Sequence, residues 1–293
     1  MTREKEIYKV TLVGSAGNLA LLIFKFVAGV LGHSAAMVAD AVHSLSDFFT
    51  DIIVLLFVKV SARPQDEGHD YGHGKFETLA TSFIGMALAA VACGIVYKAC
   101  VALHAWVNGA DLPAPGMLAL WAALVSILLK ELAYRYTIRQ SRKLNSPALE
   151  ANAWHHRSDA FSSIGTLVGI GGAILLGQRW TVLDPLASLV VAVFLFRTAW
   201  KLLKPSFGEL MEASLPDEVE KEILQIVTSF PDVSDPHNLR TRRIGNRIAI
   251  EVHVRMRGDM SLREAHDIVT AIEHQIKARF GPATLVTIHM EPK

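Results

Sequence analysis

The stretch WHHRSD, Trp154–Asp159, lies inside an otherwise apolar run, and its reading decides the fold. Its counterpart is VHSLSD, Val42–Asp47. Each places a histidine four residues before an aspartate: His43 with Asp47, and His155 with Asp159. On an α-helix, residues i and i+4 share one face, a turn apart. Two such helices facing each other bring two imidazoles and two carboxylates to one point. That is a four-ligand nitrogen–oxygen set suited to Zn²⁺. Both motifs lie in segments that read as membrane-spanning. A lone ionisable side chain near the bilayer centre costs about 2.5–3.5 kcal/mol on insertion scales. These groups therefore need partners, and a transported cation supplies one.

Composition agrees with a membrane protein. The chain has 293 residues, is 51% hydrophobic and carries a formal net charge of +1. A charge so near zero gives no reason to expect nucleic acid as a partner. Cys93 and Cys100 lie on one face of an apolar helix, too far apart for a disulfide, and read as packing residues. The amino-terminal segment runs into an apolar span without a cleavage site and reads as a retained first helix.

Six segments approach the roughly 20 residues needed to cross a bilayer. They cover about 8–30, 34–58, 77–103, 115–138, 149–176 and 184–204. Lys59, Arg63 and Lys75 fall in or beside the second connector, and Arg135, Arg139, Arg142 and Lys143 near the fourth. The other connectors hold only Arg179. This asymmetry places both termini and the basic loops on the cytoplasmic side. Lys25, Arg197 and Lys201 read as snorkelling side chains, with a counter-ion role as the alternative for Lys25. Asp40, His43, Asp47 and Asp51 share a narrow stripe of the second span, which must face the bundle interior or a wet cavity. His156 is turned about 100° from His155 and is set aside. Asp184-Pro185 reads as an N-cap followed by proline at the first helical position.

Two further clusters lie outside the spans. Asp66, His69 and His73 sit in a short glycine-rich loop with zinc-like spacing. After Pro205 the chain turns polar. There PDEVEKEILQIVTSF and LREAHDIVTAIEHQIKARF read as amphipathic helices. Residues 238–245, 247–256 and LVTIHMEP read as strands, with a turn at Gly245-Asn246. The order αββαβ predicts a small two-layer, ferredoxin-like α+β domain. His237, His253, His266, His289 and Glu291 offer metal donors there. His104 and His274 read as surface residues.

HSLSD at 43–47, HHRSD at 155–159, DEGHDYGHGK at 66–75, SDPHNLRTR at 234–242 and TIHMEP at 287–292 together resemble the cation diffusion facilitator family of divalent-metal/proton antiporters. The likeness covers nearly the whole chain. It implies an α-helical membrane domain of six transmembrane helices, residues 1–207, and a cytoplasmic metal-binding domain, residues 208–293. It also implies a homodimer. By position, His43, Asp47, His155 and Asp159 are the transport site, and Asp66, His69 and His73 a loop site. His237, His253, His266, His289 and Glu291 then form a paired zinc site between C-terminal domains, and Lys75 with Glu212 locks the dimer. Some relatives carry Asp where His43 stands; the imidazole favours Zn²⁺ over Mn²⁺ or Fe²⁺. Some also carry Asp where Glu291 stands.

The expected activity is export of Zn²⁺, with Cd²⁺ as a further candidate, from the cytoplasm across the cell membrane in exchange for protons. Metal and protons compete for the same nitrogens. No G-x-x-x-x-G-K-[ST] phosphate loop is present, so no nucleotide is expected. One rival is an intramembrane zinc hydrolase, but H-E-x-x-H is absent and four protein ligands leave no open position. The other is a membrane-bound sensor that signals through its C-terminal domain without transport.

Overall fold

The computed structural model describes residues 3–61, 63–144, 147–245 and 247–293. Within the helices, the side chains at 3–11, 13, 47, 49–56, 58, 59, 144, 147–149, 151, 152 and 155 lie outside that description. Six long helices come first: α1 (Arg3–Leu31), α2 (Ala35–Ser61), α3 (Lys75–Val107), α4 (Met117–Leu144), α5 (Pro147–Leu175) and α6 (Leu183–Leu210). Each expected span falls on one of them. Among the described residues, five helices (all but α2) are long and apolar enough to cross a membrane. The chain forms a helical membrane domain followed by a small α/β domain.

By compactness the chain divides into residues 1–52 with 84–201, and residues 53–83 with 202–293. In the first unit, Ala28 of α1, Ala36 and Met37 of α2, Ala119, Ala122 and Ala123 of α4, Ile170 of α5 and Ala187 of α6 form one buried cluster. Lipid is as apolar as these side chains. Close backbone approach through small residues therefore drives the packing, rather than hydrophobic transfer. Asp184 departs from the sequence reading. Its helix already begins at Leu183, and its carboxylate caps α2 instead. It accepts from the Ser34 hydroxyl at 2.6 Å and from the Ala35 N–H at 2.7 Å. The first N–H groups of α2 have no partner within their own helix, and Asp184 comes within their reach.

In the second unit, α7 (Asp217–Thr228), β1 (Ser234–Ile244), β2 (Arg247–Met256), α8 (Leu262–Phe280) and β3 (Leu285–Pro292) give the expected order. The sheet order is β1-β2-β3, with β1 antiparallel and β3 parallel to β2. Ile223 and Val227 of α7 and Ile272 and Ile276 of α8 pack on Ile250, Val252 and Val254 of β2. The alternating residues Glu251, His253 and Arg255 therefore take the opposite face. Strand β1 begins earlier than its side-chain pattern suggests. Register shifts flank His237, with Asp235 and Asn238 in the left-handed region at φ 47° and 49°. Such bulges break the period of two on which strand reading depends. At the β1–β2 turn, Gly245 has φ 61°, and a Cβ there would stand 2.7 Å from the Gly74 carbonyl oxygen. The turn thus lies backbone to backbone on the loop that follows α2. Asn246 lies outside the described residues.

Candidate metal centres

The bundle interior holds two buried ion pairs. Lys25 Nζ lies 2.7 Å from Asp40 Oδ2, with side-chain exposures of 0% and 1%. The same ammonium donates to Ser44 Oγ at 3.3 Å and Ser163 Oγ at 3.4 Å. Ser163 in turn donates to Asp40 at 3.0 Å. Lys25 is therefore the counter-ion of Asp40, and the snorkelling reading is corrected. A partner inside the bundle satisfies the ammonium without a route to the headgroups. Arg197 and Lys201 are exposed. The second pair joins Lys130 Nζ of α4 to Asp159 Oδ2 of α5 at 2.6 Å, with exposures of 4% and 7%. Sequence reasoning missed Lys130. The signal was a lysine near the midpoint of an apolar span, where snorkelling has the furthest to reach.

Of the four residues expected to form the transport site, His43 and Asp159 are described with their side chains. The Nδ1 atom of His43 is buried and has no hydrogen-bond partner among the described residues. The side chains of Asp47, Asp51 and His155 lie outside the described residues. His156 is 1% exposed. Cys93 and Cys100 are free thiols, as expected, but both are exposed on the chain rather than packed within it. His104 and His274 are exposed, as read.

The loop between α2 and α3 brings Asp66, His69 and His73 together, their ligand atoms within 4.8 Å of one another. His69 Nδ1 lies 3.2 Å from Asp66 Oδ1, and His73 Nε2 lies 3.3 Å from Asp66 Oδ2. His73 Nδ1 donates to the Pro64 carbonyl at 3.2 Å. In the neutral ring this leaves the Nε2 lone pair facing a carboxylate oxygen. Only a cation between them, or a proton on the ring, makes that contact favourable. Burial opposes ionisation of Asp66. The Gly68 N–H, the His69 ring and the charges of His73 and His69 outweigh it and hold the carboxyl below its usual range.

The C-terminal sheet repeats this device. His237, His253 and His289 stand in register across β1, β2 and β3. Glu291 joins His237 and His253 in a cluster whose ligand atoms lie within 4.8 Å of one another. His253 Nδ1 is 3.0 Å from Glu291 Oε1, and His237 Nε2 is 3.3 Å from Oε2. His237 Nδ1 donates to the Asp235 carbonyl at 2.8 Å, so its Nε2 lone pair also faces a carboxylate. The His253 hydrogen bond, aided by His237 and Arg255 and opposed by partial desolvation, lowers the Glu291 pKa. His289 lies at the edge, its Nε2 4.0 Å from Glu291. His266 is exposed on α8, beside Thr270, and is outside this cluster in one chain. Lys75 and Glu212 form an ion pair within the chain, and Arg242 Nε reaches the same carboxylate at 3.2 Å.

Apolar helices with charged groups in their interior, joined to a polar domain with its own imidazole–carboxylate cluster, define a membrane protein that handles metal cations. The cation efflux transmembrane domain matches residues 11–211, and the cation efflux protein cytoplasmic domain matches residues 215–293. The chain belongs to the cation diffusion facilitator family and is a metal efflux transporter. It is 34% identical to the manganese efflux system protein MneP of Bacillus subtilis (strain 168), over 99% of this chain and 97% of that protein. It is 36% identical to metal tolerance protein C1 of Arabidopsis thaliana, over 97% of this chain and 62% of that protein. A solved structure titled for a putative zinc transporter, CzrB, is 33% identical over 27% of this chain and 99% of that one, with a TM-score of 0.26.

Proposed function

We propose that this protein exports Zn²⁺ from the cytoplasm in exchange for protons. It acts as a homodimer in the cell membrane with both termini cytoplasmic. Residues 1–207 carry the ion and residues 208–293 form a cytoplasmic metal-binding domain. The observation that carries the reading is the hydrogen bond from Ser163 of α5 to Asp40 of α2. Successive spans alternate in direction, so α2 and α5 run antiparallel. One turn from Asp40 leads to His43, and one turn back from Ser163 leads to Asp159. A second turn leads to Asp47 and His155. This register supports His43, Asp47, His155 and Asp159 as one transport site.

Zn²⁺ binds neutral imidazole and carboxylate, and protons arriving from the far side take the same atoms. Asp66, His69 and His73 serve as a loop site on the cytoplasmic side. His237, His253, His289 and Glu291, with His266, hold zinc in the C-terminal domains and brace the dimer there. Lys75 and Glu212 tie the loop to that domain.

The name of the Bacillus relative favours a second reading, Mn²⁺ as the cargo. Two imidazoles among four donors favour zinc, because manganese prefers oxygen. Flux into proteoliposomes under a pH gradient separates the readings, with Zn²⁺, Cd²⁺ and Mn²⁺ compared. Zinc flux that exceeds manganese flux and collapses in His43→Ala and Asp159→Ala is expected. Faster manganese flux overturns the zinc reading. Normal transport by both variants overturns the site. Absence of any flux, with metal still bound, leaves the sensor reading in place.

A further inference from the structure

We propose that Lys130 is a tethered competitor for the transported cation. Its ammonium holds Asp159 and must withdraw before metal binds there. The inference rests on Asp159 being a ligand of the transport site.

The Lys130–Asp159 contact is short, at 2.6 Å, and almost wholly shielded from water. Lys130 stands on α4, which packs against α5. The other buried lysine cannot replace it, because Lys25 is committed to Asp40, Ser44 and Ser163. Zinc sits about 2.0–2.2 Å from a carboxylate oxygen. A zinc ion on the oxygen that Lys130 already holds at 2.6 Å would therefore stand within about 5 Å of the ammonium. Two like charges that close, in a medium that screens weakly, repel strongly. Metal on Asp159 and ammonium on Asp159 are alternative states of one site.

Two consequences follow for transport. The lysine lowers the affinity of a site whose four ligands would otherwise hold zinc too tightly to release it. It also balances the empty carrier. Among the described residues, Lys25 and Lys130 offset Asp40 and Asp159, so the ion-free bundle need not bury bare carboxylates.

The test is equilibrium Zn²⁺ binding to the purified full-length protein. Asp66→Ala, His69→Ala, His237→Ala, His253→Ala and Glu291→Ala are included so that the loop and sheet clusters do not compete with the bundle site. Lys130→Met removes the competitor and is expected to bind zinc on the order of tenfold more tightly. Lys130→Arg keeps the charge and grips a carboxylate through two hydrogen bonds, so it is expected to bind on the order of tenfold more weakly. A merely structural lysine would move both variants the same way. Weaker binding in both, or no change in either, overturns the proposal. Where Lys130→Met does not fold, Lys130→Arg decides alone: weaker binding supports competition, and equal or tighter binding overturns it. Asp159→Asn separates this inference from the reading beneath it. If it binds zinc as the parent does, the site assignment has failed and the inference with it. If it loses zinc while the lysine variants match the parent, only the inference has failed.

Discussion

In the bundle, Asp40 and Asp159 are each held by a lysine that water barely touches. On the C-terminal sheet, Glu291 is held by His253 and His237, all three about one-third exposed. The donor types are similar, but the solvent differs. Inside a membrane a bare carboxylate is too costly to keep waiting for a metal, so a lysine side chain stands in. At a wet surface, water, the two imidazoles and Arg255, whose Nε lies 3.8 Å from Glu291 Oε2, do the same work, and no lysine is built in. On the reading proposed above, the loop cluster Asp66–His69–His73 and the sheet cluster stay open to metal, whereas the buried site must be vacated first.

The largest effect that would break this contrast lies at Lys25. Lys25→Met leaves Asp40 buried without its counter-ion, at a cost of about 3–5 kcal/mol. Thermal unfolding of the purified protein in detergent should show a marked fall in midpoint. The double variant Lys25→Met, Asp40→Leu should recover much of it, because removing both charges is far less costly than stranding one. A single variant as stable as the parent would mean that the bundle tolerates a bare carboxylate, and the contrast would be lost.

A middle-sized effect is expected at Glu291. Glu291→Ala should leave the unfolding midpoint nearly unchanged, since exposed ion pairs contribute about 0–1 kcal/mol. Its zinc affinity at the sheet site should fall by at least about tenfold, the loss typical of removing even a supporting group. Zinc titration of the full-length protein reads this directly. A fall in stability comparable to that of Lys25→Met would show that the sheet cluster is built like the bundle.

What the sequence made legible follows the range of each interaction. His69 and His73 are four apart, and the odd-numbered His289 and Glu291 share a strand face, so their spacing survives into three dimensions. The six spans and the αββαβ order rest on local hydrophobic period in the same way. The pairing of Lys130 was illegible because its partner lies 29 residues away on another helix. Lys25 was misread because an apolar flank looks the same whether the ammonium snorkels or pairs inside. Asp184 sits where a cap for α6 belongs, yet Ser34, 150 residues earlier, claims it. The first half of β1 was hidden by left-handed residues at Asp235 and Asn238 that shift its register.

The smallest expected effect sharpens the polar side of the contrast. Helix α8 begins with a capping box in which the Glu264 N–H donates to Ser261 Oγ at 3.3 Å, and the Ser261 N–H donates to Glu264 Oε2 at 2.8 Å. Ser261→Ala should cost about 1 kcal/mol, as helix caps do. The Ser261 side chain, then its backbone N–H, holds the Glu264 carboxyl below its usual range. A depressed carboxylate pKa adds stability that is fully present above the unfolded value of about 4.3. That stability is lost as pH falls through the lower folded value. The difference between parent and Ser261→Ala should therefore be constant from about pH 7 to 5 and shrink below about pH 4. Amide hydrogen exchange across α8 in the full-length protein measures it. A difference that persists unchanged into acid would mean that the ionised carboxylate adds nothing to the cap. Charge on this wet face would then matter even less than the comparison with the bundle requires.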